Sequence, residues 1–454
     1  MLPAARRLGA ATLTALLYFT VCGGAYGLEP VVSAVGPGWA VVLIVVTPLV
    51  YSAPIALMSA ELVALLPDEG GYYIWVRESF GRFWAVQEAW WTLAFGLFSL
   101  ASYPVLFVTY LNYVLTHAGG GLVDPALLAQ PITQWGIAVA VIASGAALNL
   151  AGALDVGRSA LVAVVLVLGA FAAFLIAWVL TGQSPAHAAT VIAQDLAGER
   201  RTDLLLGLSV IVFNYSAWDK AASYAGEVDA PQRNYPIALG AALVLTVLSY
   251  LVPVLAGVGV TADAALWSAD AGWPAIAERF GGKGLGLVLA LGGLVSMWSL
   301  FCASLLWVSR IPSVLAMDGW LPRAFAPSHR ESAVPVVALG AVSLLCAALA
   351  AYSFSDLVVV QTMFYTAALA LEALALVYFR LKLPDASRNF RVPGGRAGLA
   401  YACLAPLLFA LAVMFAAFRD ASSYGLMLGY TAAIAGSGCA LYWAGRRRRP
   451  AGAP

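Results

Sequence analysis

Phe213-Asn214-Tyr215-Ser216-Ala217-Trp218-Asp219-Lys220 sits inside the apolar run Leu204–Gly226. The run begins apolar, turns polar at Asn214, and resumes as Ala221-Ala222-Ser223-Tyr224-Ala225-Gly226-Glu227. A helix bathed in lipid on all sides would not carry Asn, Ser, Asp and Lys at that depth, because buried charge is costly unless paired. Two readings fit. Either the helix is broken within the membrane, or Asp219 and Lys220 already stand beyond it.

A second stretch of this kind lies near the start of the chain. Cys22-Gly23-Gly24-Ala25-Tyr26-Gly27 puts three glycines into an apolar run, and Glu29-Pro30 follows. Each glycine weakens a helix by roughly 1 kcal/mol relative to alanine. Close helix packing through small residues would explain the glycines alone. It would not explain a carboxylate at that depth followed by a residue without an amide donor.

Both stretches belong to a chain built for lipid. Of 454 residues, 62% are hydrophobic and 10% charged, with mean hydropathy +0.88. A soluble domain carries about 25% charged residues, enough to face water. A bilayer core takes about 20 apolar residues per helix. Twelve runs meet or approach this: Leu8–Val35, Trp39–Leu66, Phe83–Thr116, Gln134–Leu150, Ser159–Leu180, Leu204–Gly226, Pro236–Val260, Gly284–Val308, Val334–Tyr352, Leu357–Phe379, Ala400–Phe418 and Tyr424–Trp443. The fourth extends upstream to Pro131 at most. Arg6, Arg7 and the run after them resemble a signal peptide in charge, but the run is too long for one. The connections Thr181–Asp203 and Thr261–Lys283 are too short for a soluble domain. Pro67–Phe80 mixes aromatic and charged residues and predicts a short interfacial helix.

Lysine and arginine set the orientation. With twelve spans, nineteen of the 24 fall on one side, and only Arg200, Arg201, Arg279, Lys283 and Arg419 fall on the other. Both termini are therefore expected in the cytoplasm, at the plasma (inner) membrane. The run Arg446–Arg449 reads as an anchor at an anionic leaflet, with a partner-binding tail as the alternative. The net charge of +1 points to no nucleic-acid partner. The five cysteines, all in apolar stretches, have no metal-ligand spacing. No cofactor is expected.

The first and sixth spans stand five apart. Five is odd, so two such halves face opposite ways, which is the pattern of inverted repeats with a binding site between broken helices. Unwound backbone frees amides and carbonyls that must meet a ligand, an ion or water. Freed amides attract a carboxylate, and freed carbonyls and acidic side chains attract an ammonium. A zwitterion or an organic cation suits such a site.

Several segments resemble the amino acid–polyamine–organocation superfamily of permeases. Ala225-Gly226-Glu227-Val228-Asp229-Ala230-Pro231 through Ala238 resembles its segment after the sixth helix. Ala60-Glu61-Leu62 with Gly70-Gly71-Tyr72-Tyr73-Ile74-Trp75-Val76 resembles its second helix and first loop. Tyr18–Pro30, Tyr103-Pro104-Val105-Leu106 and Leu371-Glu372 resemble the plant-type polyamine uptake branch. Arg388-Asn389-Phe390-Arg391-Val392-Pro393-Gly394-Gly395 is similar to a loop shared with L-type amino acid transporters.

The resemblance implies an all-α polytopic membrane fold of twelve helices. These form a five-plus-five inverted repeat with discontinuous helices 1 and 6, and two C-terminal helices. The transport core would span 1–395, with repeats at about 8–180 and 204–380, helices 11 and 12 at 396–445, and a basic tail at 446–454. It implies alternating-access transport rather than enzyme activity. The implied substrate site holds Thr20, Gly23, Gly24, Ala25, Tyr26 and Gly27 from the first helix. From the sixth it holds Phe213, as an aromatic gate, and Asn214, Tyr215, Ser216, Ala217, Trp218 and Asp219. Thr20 stands where plant-type polyamine carriers often carry an acidic residue, and Lys220 can cancel Asp219. Both departures favour an amino acid over a polyamine. Glu61, Glu372 and Arg158 are candidates for coupling to protons, with Glu88 as a further membrane carboxylate. Glu61 has a structural or gating role as its alternative, Glu372 a hydrogen-bonded structural role, and Arg158 an ordinary anchoring role.

Other classes are less well served. A non-transporting nutrient receptor would need a signalling extension. An enzyme would need a convergent catalytic cluster, and His117, His187 and His329 lie far apart in sequence, in stretches read as loops. A channel would need a repeated filter.

Overall fold

The computed structural model describes residues 7–68, 70–118, 124–198, 204–268, 272–326, 334–352, 354–418 and 424–448. Arg6, Arg200, Arg201, Arg330, Arg419 and His329 lie outside them, and the basic tail is described to Arg448 only. Among the described residues every regular element is a helix.

The helices are α1 (Ala10–Val21), α2 (Glu29–Val35), α3 (Pro37–Thr47), α4 (Ala53–Leu65), α5 (Gly71–Phe80), α6 (Arg82–Ala118), α7 (Pro125–Leu128), α8 (Pro131–Leu150) and α9 (Ala153–Leu180). They continue with α10 (Pro185–Ala197), α11 (Leu204–Asn214), α12 (Pro231–Val260), α13 (Gly272–Val308), α14 (Arg310–Met317), α15 (Val336–Leu349), α16 (Phe354–Lys382), α17 (Gly395–Phe418) and α18 (Tyr424–Arg448). Helices α3 and α4 run on through a wide turn at Pro48–Ser52. Pro48 lacks an amide and clashes with the preceding turn, and one π-type turn relieves both without ending the helix. Eight helical stretches among the described residues are long and apolar enough to cross a membrane.

Sequence and structure agree on α5, which occupies the stretch read as interfacial. They differ at 181–203, read as a plain connection, where α10 forms; Ser184 caps it by accepting from Ala186 N–H at 3.2 Å. They differ again at two histidines. His117 closes the last turn of α6 and His187 lies within α10, so neither is in a loop.

Polarity is inverted relative to a soluble protein. Val162, Val165, Ile176 and Leu180 line the outer face of α9, and Leu404, Leu408, Leu411 and Phe415 that of α17. An apolar surface of this extent belongs in lipid. The charges are inside. Glu29, Glu61, Glu88, Asp219, Lys220, Glu227, Arg310 and Glu372 are all buried. The protein is thus a polytopic helical membrane protein. At its centre α6 packs against α13 and α16, and α1 packs against α9, α12 and α13.

Both described ends of the chain reach one face. Leu8 N–H donates to Glu227 O at 2.9 Å, and Glu227 pairs with Arg310 at the start of α14. Trp320, just past α14, stacks on Tyr442 of α18 at 5.1 Å between ring centroids. We call this the terminal face.

Candidate functional site

The first break opens where α1 ends and Cys22 turns extended, at φ −134° and ψ 144°. Gly24 at φ +80° and Gly27 at φ +86° then turn the chain through the left-handed region, which glycine enters at little cost. Gly23 serves close approach: a Cβ there would lie 2.2 Å from Ser296 Oγ of α13. The freed carbonyls are taken up by the protein. Gly23 O accepts from Ser296 O–H at 2.5 Å, Ala25 O from Trp273 Nε1–H at 2.8 Å, and Gly27 O from Asn214 Nδ2–H at 3.1 Å. The amides of Gly23 and Ala25 find no protein acceptor among the described residues, while that of Gly24 faces the Tyr18 hydroxyl and the Cys22 thiol.

Glu29 begins α2 directly beyond this break. Its carboxylate accepts from Gly27 N–H at 2.7 Å, Tyr110 O–H at 2.9 Å and Trp273 N–H at 3.4 Å. Three neutral donors from three elements hold it, and none is charged.

The second break follows α11. Asn214 ends the helix and reaches across to the first break through Gly27 O, while its own carbonyl accepts from Tyr250 O–H at 2.8 Å. Tyr215 O–H donates to Ile44 O at 2.9 Å, and Ser216 O–H to Val212 O at 2.6 Å. Ala217 sits at φ +74°, a left-handed conformation that costs a non-glycine residue roughly 1–2 kcal/mol. Its amide donates to Tyr365 Oη at 3.1 Å, and Tyr365 O–H donates onward to Asp219 at 2.5 Å. A short 3₁₀ helix, Lys220–Glu227, completes the segment.

Lys220 is the centre of a buried cluster. Its ammonium contacts the Asp219 carboxylate directly, Glu372 Oε1 at 3.1 Å and Thr92 Oγ1 at 3.2 Å. Thr92 O–H donates to Glu88 at 2.7 Å. The rings of Tyr72 and Tyr365 lie 4.5 and 5.0 Å from the ammonium, within cation–π range. Lys220, Asp219, Glu88 and Glu372 are 0% exposed. Asp219 and Lys220 thus stand inside the helical bundle and not in an exposed loop. Glu88 Oε2 and Glu372 Oε2 have no hydrogen-bond donor among the described residues.

Helix α6 connects this cluster to open space. At its far end a cavity of about 1000 Å³ is lined by Pro30 and Ser33 of α2, Leu106, Thr109 and Tyr113 of α6, and Leu206 of α11. Further in, Tyr103 meets Phe213 at 5.9 Å between rings. Phe95 stacks on Tyr365 at 4.6 Å, and Thr92 and Glu88 follow. From Leu106 to Thr92 the helix rises about 21 Å.

The terminal face is closed by ion pairs. Glu61 of α4 accepts from Arg380 Nε at 2.6 Å, Arg380 Nη2 at 2.5 Å, Arg388 Nη1 at 2.6 Å and Val392 N–H at 2.8 Å. Arg310 meets Glu227 at 2.8 and 2.5 Å. Arg77 and Tyr73 of α5 both reach Asp318, at 3.1 and 2.6 Å. Burial first, and the Asp318 carboxylate second, push the Tyr73 hydroxyl above its ordinary value, so it stays a donor.

The structure thus joins the two breaks through Asn214 and Gly27, and gathers Ala217, Asp219 and Glu372 around Tyr365 and Lys220. It leaves Thr20 donating to Leu16 O of its own helix at 2.8 Å. Tyr26 is turned away from the second break, donating to Leu289 O of α13 at 2.8 Å. Trp218 is buried, with an indole N–H that has no acceptor among the described residues. Glu61 lies in the terminal-face knot, and Arg158 is 66% exposed, 3.4 Å from Asp155 one turn away on α9. Sequence reasoning did not pick out Thr92, Tyr110 or Tyr365. Tyr72 fell inside a quoted motif, with nothing local to show that its ring would cover Lys220.

The family model for amino acid permeases matches residues 8–437. A polyamine transporter of Oryza sativa subsp. japonica is 33% identical over 91% of this chain and 74% of its own length. A polyamine transporter of Arabidopsis thaliana is 30% identical over 88% and 79%. A vacuolar cationic amino acid transporter of Arabidopsis thaliana is 31% identical over 38% and 30%. The chain belongs to the amino acid permease family and is a transporter of the amino acid–polyamine–organocation superfamily.

Proposed function

We propose that this amino acid permease is a secondary active transporter of small organic amines, with polyamines as its leading substrate class. In this reading the chain crosses the plasma membrane twelve times. Two opposed five-helix repeats enclose the site, two further helices follow, and both ends lie in the cytoplasm. The terminal face is then the cytoplasmic one. The far cavity opens outward while the Glu61, Arg310 and Asp318 pairs seal the inside, which corresponds to an outward-facing state of an alternating-access carrier. Phe213, packed on Tyr103 between cavity and cluster, is placed to act as the gate.

The observation that carries the substrate class is the Lys220 cluster. Three carboxylates and two aromatic rings converge on a single ammonium at the sixth-helix break. Buried carboxylates in excess attract further positive charge, and aromatic rings favour a desolvated ammonium. The expectation of an amino acid rested partly on Lys220 cancelling Asp219. Lys220 does meet Asp219, but Glu372 touches the same ammonium and Glu88 reaches it through Thr92, so three carboxyl groups stand against one cation. Relatives described as polyamine transporters support the same class.

A second reading, transport of an amino acid, is favoured by the amides of Gly23 and Ala25. Unpartnered amides suit a carboxylate. Coupling by proton symport or by exchange fits either substrate. Purified protein in proteoliposomes separates the readings through uptake of labelled putrescine, spermidine, arginine and leucine, with and without a pH gradient. Putrescine flux that no amino acid competes for is the expected outcome. Leucine flux indifferent to putrescine would overturn the amine reading.

A further inference from the structure

Three carboxylates closed away from water with one ammonium are unevenly matched. Removing an ion from water costs several kcal/mol even after relaxation, unless a partner compensates. Asp219 and Glu372 touch the Lys220 ammonium, and Glu88 reaches it through Thr92. Among the described residues, Glu88 Oε2 and Glu372 Oε2 accept no hydrogen bond. The cluster therefore presents acceptor oxygens that a further cationic donor would satisfy.

The group already there is of the substrate's own kind. A lysine side chain is an ammonium on four methylenes, the same unit as one end of a four-carbon diamine. Its seat, with carboxylates on one side and the Tyr72 and Tyr365 rings against it, is what a free alkylammonium would select. The segment that carries it is also strained at Ala217, two residues before Asp219. A strained, unwound segment with an incompletely satisfied ion cluster can rearrange at low cost.

We propose that Lys220 is a tethered stand-in for the substrate's ammonium. In the empty carrier it neutralises the cluster well enough for the closed site to turn from one face to the other. When an amine arrives, Lys220 yields Asp219 to it and stays with Glu372 and Glu88. Transport then runs as net uptake, because the empty carrier can return. Without Lys220 only the loaded carrier turns easily, and transport is restricted to exchange. This inference rests on the amine reading above.

The test uses full-length protein in proteoliposomes and labelled putrescine in two modes: net uptake into empty vesicles, and exchange into vesicles preloaded with unlabelled putrescine. Lys220→Met is expected to lower the ratio of net uptake to exchange about tenfold, the equivalent of about 1.4 kcal/mol on the return step. Lys220→Met/Glu372→Gln removes one charge of each sign, and is expected to recover most of that ratio and to keep the protein monodisperse should the single variant aggregate. A wild-type ratio in both variants overturns the stand-in while leaving the amine reading intact. Equal loss of both modes in the double variant also overturns it, since a merely structural lysine predicts that. Wild-type protein that moves leucine but no amine in either mode removes the amine reading, and the stand-in with it.

Discussion

Two buried ionic centres in this protein are built in opposite ways. At Glu61, one carboxylate takes four donors, from two guanidinium groups and the Val392 amide, and Arg380 and Arg388 spend further donors on the carbonyls of Val392, Leu383 and Ala386. At Lys220, one ammonium faces three carboxyl groups, and Glu88 Oε2 and Glu372 Oε2 have no donor among the described residues. The first centre is filled and ties α4 to the end of α16 and the loop after it. The second is overfilled with acceptors and lies where α11 is broken. A saturated centre resists change because every alternative loses hydrogen bonds. An unsaturated one gains by taking a new partner. The contrast assigns holding to one and exchanging to the other.

The contrast breaks most readily at Glu61. Glu61→Gln leaves two buried guanidinium groups against a neutral amide, a loss of about 3–5 kcal/mol for a broken buried pair. Thermal unfolding of the detergent-solubilised protein is expected to shift down by several degrees, with transport lost at temperatures the wild type tolerates. An unchanged midpoint would mean that the knot does not hold the terminal face.

Glu88→Gln should behave in the opposite sense on stability. It removes one of the three carboxyl groups gathered on a single ammonium and keeps an oxygen for Thr92 O–H. Replacing part of an imperfect buried ion cluster by a neutral group is often neutral or stabilising. The melting midpoint is expected to stay level or rise, while apparent putrescine affinity falls about tenfold, as a change of about 1.4 kcal/mol requires. A large fall in midpoint would show that the Lys220 centre is as structural as the Glu61 knot.

The two centres were not equally legible. The polar interruption at Asn214–Lys220 and the glycines at 22–27 lie within single apolar runs, so a local reading locates both breaks. The Lys220 cluster needs Glu88 from α6, Asp219 from the break after α11 and Glu372 from α16, and only their place in apolar runs was readable. Their meeting is a property of packing. Glu61 stood out as a membrane carboxylate, but its partners are more than 300 positions away and their arginines read as ordinary inside charge. The helix at 185–197 escaped because its sequence, Pro-Ala-His-Ala-Ala-Thr-Val, is neither long nor apolar enough to register as a span, while Ser184 and Pro185 give it a proper start.

Glu29 stands between these extremes, since its carboxylate is filled, but by neutral donors. Tyr110→Phe removes one of the three and leaves the gap that Gly27 and Trp273 cannot cover. About 1 kcal/mol of stability is expected to go, the ordinary net worth of one such bond. The change is read by thermal unfolding. A loss as large as that of Glu61→Gln would place Glu29 with the holding centres.

Arg158 tests the other end of the scale. It belongs to α9 and makes one contact, with Asp155 at 3.4 Å, while two-thirds of its side chain is exposed. Exposed pairs of this kind contribute about 0–1 kcal/mol. A residue that stands in for a coupling cation has to lie where the cation would, against the broken helices, and no hydrogen bond or ion pair joins Arg158 to either of them among the described residues. Arg158→Ala is therefore expected to leave putrescine uptake within about twofold of wild type, and to leave its dependence on external pH unshifted, given so weak a pair. A flattened pH profile in that variant would return Arg158 to the coupling machinery. It would also show that an exposed cation, and not only the two buried centres, takes part in the transport cycle.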